Sequence, residues 1–174
     1  MPPHDDLFAA IRAAVPRIKE KSVLAVTSKV VSIGEGRCVA VSDAGDKDEL
    51  IKREAELYLP RNPKAYNVMH TITQGLLAPA AGIDESNANG YYILLPKNPR
   101  RWAKRLHAWL RETYHIRQCG VIITDSRSVP LRRGVVGVSI AHYGFAPLQD
   151  YRGEKDLFGR ELAIAQKNIA DGLA

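Results

Sequence analysis

Apolar side chains recur at helical spacing in four stretches of the chain. The first stretch predicts a helix within residues 5–20, and Pro16 leaves its end open. The second follows a capping box formed by Asp46 and Glu49. The third opens at Asn98-Pro99, because proline is favourable in the first turn of a helix. The fourth predicts a last helix near the end of the chain. The stripes are, in order, Leu7, Ile11, Ala14, Val15 and Ile18; Ile51, Ala55, Tyr58 and Leu59; Trp102, Leu106, Trp109 and Leu110; and Phe158, Leu162, Ala165 and Ile169.

Short apolar runs between these stretches predict β-strands. They are residues 23–27, 91–95, 120–124 and 135–141. Further strand-like pieces lie between residues 67 and 95, where several glycines interrupt them. Strands and helices do not alternate regularly enough for a doubly wound sheet. We therefore expect an α+β fold, a mixed α/β unit over residues 1–174, built either as a single domain or as two small lobes that share a core.

The composition narrows the classes of protein. With 45% hydrophobic residues among 174, the chain can bury a real core, so disorder is not the default. The two cysteines, Cys38 and Cys119, form no CxxC pair, which argues against disulfide stapling and against a thiolate zinc site. No apolar run approaches the roughly 20 residues of a membrane-spanning helix. Residues 1–6 show no secretory signal, so we expect a cytoplasmic protein.

The formal net charge of +6 favours anionic partners, which include nucleotides, polycarboxylates and nucleic acid. Positive residues cluster in residues 97–111 and 127–133. The first cluster falls on the predicted third helix, where a solvated helix face is the simplest explanation. We do not expect the partner to be nucleic acid.

Several motifs that are common in nucleotide-binding and hydrolytic enzymes are absent from the sequence. The chain contains no GxxxxGKS/T, GxGxxG, HExxH or GxSxG. It contains instead an ordered series of less generic segments. They are residues 26–32 (VTSKVVS) with 35–37 (EGR); residues 82–87 (GIDESN) and 94–96 (LLP); residues 122–126 (IITDS); Pro130 with residues 132–134 (RRG); and residues 150–153 (DYRG) with Asp156 and residues 158–160 (FGR).

In this order the segments resemble the coenzyme F420-0:γ-glutamyl ligase family from about residue 5 to residue 170. The resemblance implies that family's fold, a homodimer, and an enzyme that uses a divalent metal (Mn²⁺ or Mg²⁺) and GTP. In the implied reaction, GTP activates an acceptor carboxylate as an acyl phosphate, and the amine of L-glutamate then displaces phosphate. The acceptor would be F420-0 or a related pterin-like or folate-like molecule, and the sequence does not select among them.

The resemblance assigns Asp84 and Asp125 to metal binding and catalysis, and the hydroxyl of Ser126 to a second metal. Their chemistry agrees, because hard divalent cations prefer carboxylate and hydroxyl oxygens. Asp84 lies in a glycine-flanked turn, and Asp125 follows an apolar strand, where a rigid sheet presents a side chain to a cleft. The alternative is that both aspartates only cap turns.

The same resemblance assigns five further residues to the bound nucleotide. Ser28, Lys29 and Asn87 match family positions that contact GTP, and the compact ammonium of a lysine suits a phosphate group. Arg132 and Arg133 lie in a predicted loop, where guanidinium groups could grip a phosphate or carboxylate through two parallel hydrogen bonds. Surface decoration is an equal alternative for the two arginines.

The sequence departs from the family pattern in three ways. Only four residues precede Asp5, where the family usually carries another strand, and the chain stops where the family continues with a further metal ligand and GTP contacts. Ile33 stands where the usual motif has a lysine. We therefore expect a shortened member that ligates glutamate. The alternative is a trimmed relative that binds metal, nucleotide or a polyglutamylated ligand in a regulatory or carrier role.

Overall fold

The computed structural model describes residues 1–64 and 66–174. Its helices are Leu7–Ala14 (α1), Ser28–Glu35 (α2), Lys47–Glu54 (α3), Pro99–Tyr114 (α4) and Ile169–Gly172 (α5). Its strands are Ser22–Thr27 (β1), Cys38–Ala40 (β2), Leu57–Leu59 (β3), His70–Thr73 (β4), Leu76–Pro79 (β5), Tyr91–Ile93 (β6), Cys119–Ser128 (β7), Val135–Tyr143 (β8), Leu148–Asp150 (β9) and Gln166–Asn168 (β10). The expected mixed α+β class is confirmed.

The longest strands form a three-stranded sheet in the order β1-β7-β8. Strand β1 runs parallel to β7 from the pair Ser22 and Cys119 to the pair Thr27 and Thr124, and β8 runs antiparallel to β7. Because β1 and β7 are parallel, their carboxyl ends meet at the same edge of the sheet. The residues that follow Thr27 and Thr124 are therefore neighbours in space.

Helix α4 packs against β7 and β8 of this sheet, and helix α1 packs against α2 and α4. Leu106 and Leu110 of α4 are fully buried in a cluster with Val121 and Ile123 of β7, and α1 contributes Leu7 to the same cluster. Helix α4 begins as predicted, since the Asn98 side chain accepts a hydrogen bond from the Arg101 amide and Pro99 follows it. The apolar face of α4 thus fixes the sheet that carries β7.

A second apolar cluster lies under the smaller sheets, which are β2-β6 and β3-β4-β5. Leu50 and Ile51 of α3 are buried there together with Met69 and Tyr92. This cluster fixes β6, and β6 in turn pairs with the backbone of Asp84 through a bridge at Ile93. It therefore positions one of the two aspartates of interest.

The predicted last helix through Phe158 and Leu162 is wrong. Strands β9 and β10 pair antiparallel, the residues between them form turns, and α5 spans only Ile169–Gly172. The carboxylate of Asp156 accepts hydrogen bonds from the amides of Phe158 and Arg160, and Gly159 has a φ of +84°. These local turn contacts compete with the helical pattern and replace it.

Two predicted boundaries also differ from the structure. Helix α1 ends at Ala14, before Pro16, since a proline disfavours helical backbone at the residue preceding it. Tyr58 and Leu59 lie in strand β3, because the backbone becomes extended at Ala55. Helix α2, which begins at Ser28 directly after the predicted strand 23–27, was not predicted. None of the described helices is long and apolar enough to cross a membrane.

Stability should depend on the protonation of His107 in α4. Burial lowers the pKa of His107 below its ordinary value of 6.5, and the positive charge of Arg111 lowers it further. The unfolded chain then binds the proton more tightly, so the free energy of unfolding should fall as the pH drops through 6.5 toward the folded pKa.

Urea midpoints measured from pH 8 down to pH 5 test this dependence. His107→Gln should have a flatter profile than the native chain across that range, whatever its absolute stability. Parallel profiles for the two proteins would contradict the assignment to His107.

Candidate functional site

Asp125 lies inside β7, not at its end as predicted. Strand β1 stops opposite Thr124, whereas β8 continues to pair with β7 as far as Ser128. At Asp125, the first turn of α2 therefore lies beside β7, on the side where β1 pairs with the preceding residues. This change from strand to helix brings Ser28 to the carboxylate of Asp125.

Ser28 is buried and holds that carboxylate. Its Oγ donates a hydrogen bond of 2.9 Å to Oδ2 of Asp125, while the Ser126 amide donates to Oδ1 at 2.7 Å. The side chain of Asp125 is 10% exposed. Two fixed donors and burial leave this carboxylate in one defined orientation.

Asp84 approaches Lys29 and Asp125 from the segment that pairs with β6. Its backbone amide and carbonyl both pair with Ile93 of β6. Its Oδ1 accepts hydrogen bonds from the amide and the hydroxyl of Ser86. The remaining oxygen, Oδ2, faces Lys29. The turn predicted from the sequence thus presents one carboxylate oxygen to α2.

Lys29 joins the two aspartates. Its Nζ lies 3.7 Å from Oδ2 of Asp84 and 3.9 Å from Oδ1 of Asp125. The two carboxylates therefore converge on one position. Both distances exceed those of direct hydrogen bonds, and the Lys29 side chain is 37% exposed, so the ammonium is not locked in place. One positive charge opposite two negative charges leaves a net attraction for a further cation.

The donor set fits a hard divalent cation. No group of three potential ligands from histidine, cysteine, aspartate and glutamate occurs in the part of the chain that the structure describes. Two carboxylates are nevertheless what Mg²⁺ commonly takes from a protein when substrate phosphates and water supply the other ligands. Asp84 and Asp125 would hold such an ion, with the Lys29 ammonium moving aside.

The side chains of the remaining predicted residues form no hydrogen bond or ion pair with the two aspartates within the described part of the chain. Ser126 is exposed and follows Asp125 in an extended strand, so the two side chains leave β7 on opposite faces. Asn87 is exposed in the turn after Asp84 and has a φ of +55°. Arg132 and Arg133 lie in the exposed loop between β7 and β8. The structure brings the side chains of Ser28, Lys29 and the two aspartates together. Of the other four predicted residues, Ser126 joins them through its backbone amide, and the described contacts do not connect the other three to the pair.

Arg127 is a neighbour that the motif analysis missed. It stands two residues beyond Asp125 in β7, so the two side chains leave the strand on the same face. Its Nε is buried and has no hydrogen-bond partner among the described residues. The alternation of side chains along the strand is the signal that could have found it.

Comparison with known proteins identifies the family. A family model described as F420-0:Gamma-glutamyl ligase matches residues 1–174. The chain belongs to this family. The resemblance inferred from the ordered segments is confirmed.

Three relatives of this chain carry the same name. A protein from Methanopyrus kandleri, named coenzyme F420:L-glutamate ligase, is 39% identical over 189 aligned residues, which cover 99% of this chain and 73% of the relative. Proteins of the same name from Methanocaldococcus jannaschii and Methanococcus maripaludis strain C7 are each 32% identical, and each alignment covers 90% of this chain and 68% of the relative.

Proposed function

We propose that the chain is a metal- and GTP-dependent γ-glutamyl ligase that joins L-glutamate to a carboxylate acceptor, F420-0 or a related molecule. The observation that carries the proposal is the convergence of Lys29, Asp84 and Asp125 in a chain of the F420-0:γ-glutamyl ligase family. The names of the relatives supply glutamate and an F420-type acceptor as the substrates to test.

Each group at the site has a task in this proposal. Asp84 and Asp125 hold the divalent ion, and Ser28 keeps the second carboxylate in position. The ion, when bound, neutralises phosphate oxygens. Lys29 turns from the carboxylates to the nucleotide, where its ammonium binds the transferred phosphate. The amides in the first turn of α2 receive no hydrogen bond from the Thr27 side chain and are open to a phosphate oxygen.

The reaction needs no nucleophilic side chain. An oxygen of the acceptor carboxylate attacks the γ-phosphorus of GTP, the bond to the β-phosphate oxygen breaks, and GDP leaves. The amine of L-glutamate then attacks the acyl carbon, and phosphate leaves with the bonding electrons. An amide forms and the amine loses a proton to solvent. Positioning of the substrates, and charge stabilisation by the Lys29 ammonium and by the ion that the two carboxylates would hold, provide the acceleration.

A product assay tests ligation directly. The full chain is incubated with L-glutamate, GTP, Mn²⁺ and F420-0, and the acceptor is examined by mass spectrometry. We expect an acceptor heavier by one glutamyl residue, together with one GDP for each amide formed. Omission of GTP should abolish both.

The absence of a third protein carboxylate at the pair, within the described residues, also suits the trimmed relative that binds without ligating. Binding of GTP and metal with no amide product would favour that function.

The homodimer stays a prediction, and light scattering that gives a 19.2 kDa particle at all concentrations would contradict it.

GTP with Mn²⁺ should raise the melting temperature of the chain. At a ligand concentration about 100 times the dissociation constant, the native state gains about 2.7 kcal/mol. For a domain of this size that gain corresponds to a rise of roughly 5 to 11 °C. Lys29→Ala should lose most of the increment due to GTP and keep the increment due to Mn²⁺ alone, because only the phosphate contact is removed.

Lys167→Ala is the matched control, since Lys167 is exposed on β10 and forms no ion pair among the described residues. Differential scanning fluorimetry with Mn²⁺ alone, and with Mn²⁺ and GTP, separates the two increments. If millimolar GTP adds nothing beyond Mn²⁺, GTP is not the nucleotide of this protein.

A further inference from the structure

A wide cleft lies where the first turns of α4 meet the end of β8. Its volume is about 570 Å³, and none of the residues assigned above to metal or nucleotide lines it. The lining residues are Asn98, Arg100, Arg101, Lys104, His142 and Tyr143. The cleft therefore needs an explanation of its own.

The lining is cationic and uncompensated. It contains two arginines, a lysine and a histidine but no carboxylate. Arg100, Arg101 and Lys104 form no ion pair within the described ranges 1–64 and 66–174. Clustered like charges repel one another, and a concave surface concentrates their field. The cleft thus carries a positive potential that an anion would relieve.

Helix stability does not account for these charges. The first turn of α4 contains no acidic residue, and Arg100 and Arg101 stand at the positive end of the helix dipole, where cations are unfavourable. Helix α3 shows the favourable order, with Asp48 and Glu49 in its first turn and basic residues in its last. The placement of the basic residues in α4 opposes its dipole, which favours a role in binding.

The β8 side of the cleft is held in place by aromatic contacts. The Tyr143 ring lies 5.0 Å from the His107 ring, and the His142 ring lies 5.8 Å from the Phe145 ring. These contacts restrict side chains that can donate hydrogen bonds to an anion. A volume of this size suits a small molecule.

We propose that this cleft binds a small anion bearing at least two phosphate or carboxylate groups. The guanidinium groups of Arg100 and Arg101 and the ammonium of Lys104 bind its oxygens. His142 pairs with Ile122, three residues before Asp125 in β7, so the cleft lies about 10 Å along the strand from the carboxylate pair. The inference does not depend on glutamate ligation.

Isothermal titration calorimetry on the full chain, without metal and at low salt, tests the proposal with two probes. Tripolyphosphate represents phosphate ligands, and tricarballylate represents polycarboxylates. We expect saturable binding of at least one probe, and the tighter probe identifies the chemical source. Arg101→Gln and Lys104→Gln should each weaken it about ten-fold, because each removes one charge-assisted hydrogen bond. Arg100→Gln is a third, independent variant.

Two controls decide where the probe binds. Arg53→Gln removes the same charge from an exposed position on α3 and should leave the affinity unchanged. Lys29→Ala removes the ammonium assigned to the nucleotide phosphate, so it measures how much of the probe binds at the carboxylate site and not in the cleft. The proposal is overturned if neither probe binds at millimolar concentration, if Arg53→Gln weakens binding as much as the cleft variants, or if Lys29→Ala alone abolishes it. Mn²⁺ binding that persists in the cleft variants shows that they are folded.

Discussion

Asp125→Asn should reduce Mn²⁺ affinity and the rate of glutamate ligation by at least about 100-fold. Loss of a residue that only orients a metal ligand already costs about 10- to 100-fold, and Asp125 is proposed as a ligand itself. Its side chain is only 10% exposed, so water cannot readily replace the lost charge. An amide nitrogen in the place of Oδ1 would face two donors, the Ser126 amide and the Lys29 ammonium, and neither can accept a hydrogen bond from it.

Calorimetry with Mn²⁺ and the mass-spectrometric product assay measure the two effects. Asp43→Asn is the matched control, because Asp43 lies in an exposed turn and contacts only Ser42 through its side chain among the described residues. Ser28→Ala should cost less, about ten-fold, since it removes the positioning hydrogen bond but keeps the charge. Native Mn²⁺ affinity in Asp125→Asn would remove Asp125 from the metal site.

Gly144→Ala should destabilise the fold by about 2 to 5 kcal/mol, which lowers the melting temperature by roughly 4 to 20 °C. Gly144 has a φ of +91°, a conformation that L side chains rarely adopt. A Cβ there would also lie 2.6 Å from Cδ2 of His107 and closer still to the carbonyl oxygen of Cys119. That oxygen cannot move easily, because Cys119 pairs with Ser22 at the start of the central sheet.

Gly153→Ala separates the cost of the backbone strain from the cost of the steric clash. Gly153 has a similar φ of +87°, but a Cβ at this position meets no atom within 4 Å. It should cost only the backbone strain, about 1 to 2 kcal/mol. Urea unfolding of both variants gives the difference, which is the cost of the clash beside β7. Equal losses would mean that the contacts around Gly144 relax freely.

Local patterns in the sequence correctly predicted the elements in which adjacent signals along the chain favour the same structure. Helix α4 follows its apolar stripe and its Asn98-Pro99 start, and strand β7 follows the apolar run before Asp125. The same reasoning failed at Phe158, where turn contacts from Asp156 outweigh an apolar stripe. It also missed α2, because Ser28 and Lys29 continue directly from strand β1 without a side-chain cap.

The ordered segments of the sequence determined the family, the α+β class and the residue types available for chemistry, since these depend only on which residues follow one another. Tertiary structure decided which of them meet. Ser28 and Asp125 are 97 positions apart in the sequence. They touch because β1 and β7 pair in parallel up to Thr27 and Thr124, the residues that directly precede them. Asp84 joins them through the bridge at Ile93. Register and long-range pairing arise from packing of the whole core, so no local pattern specifies them.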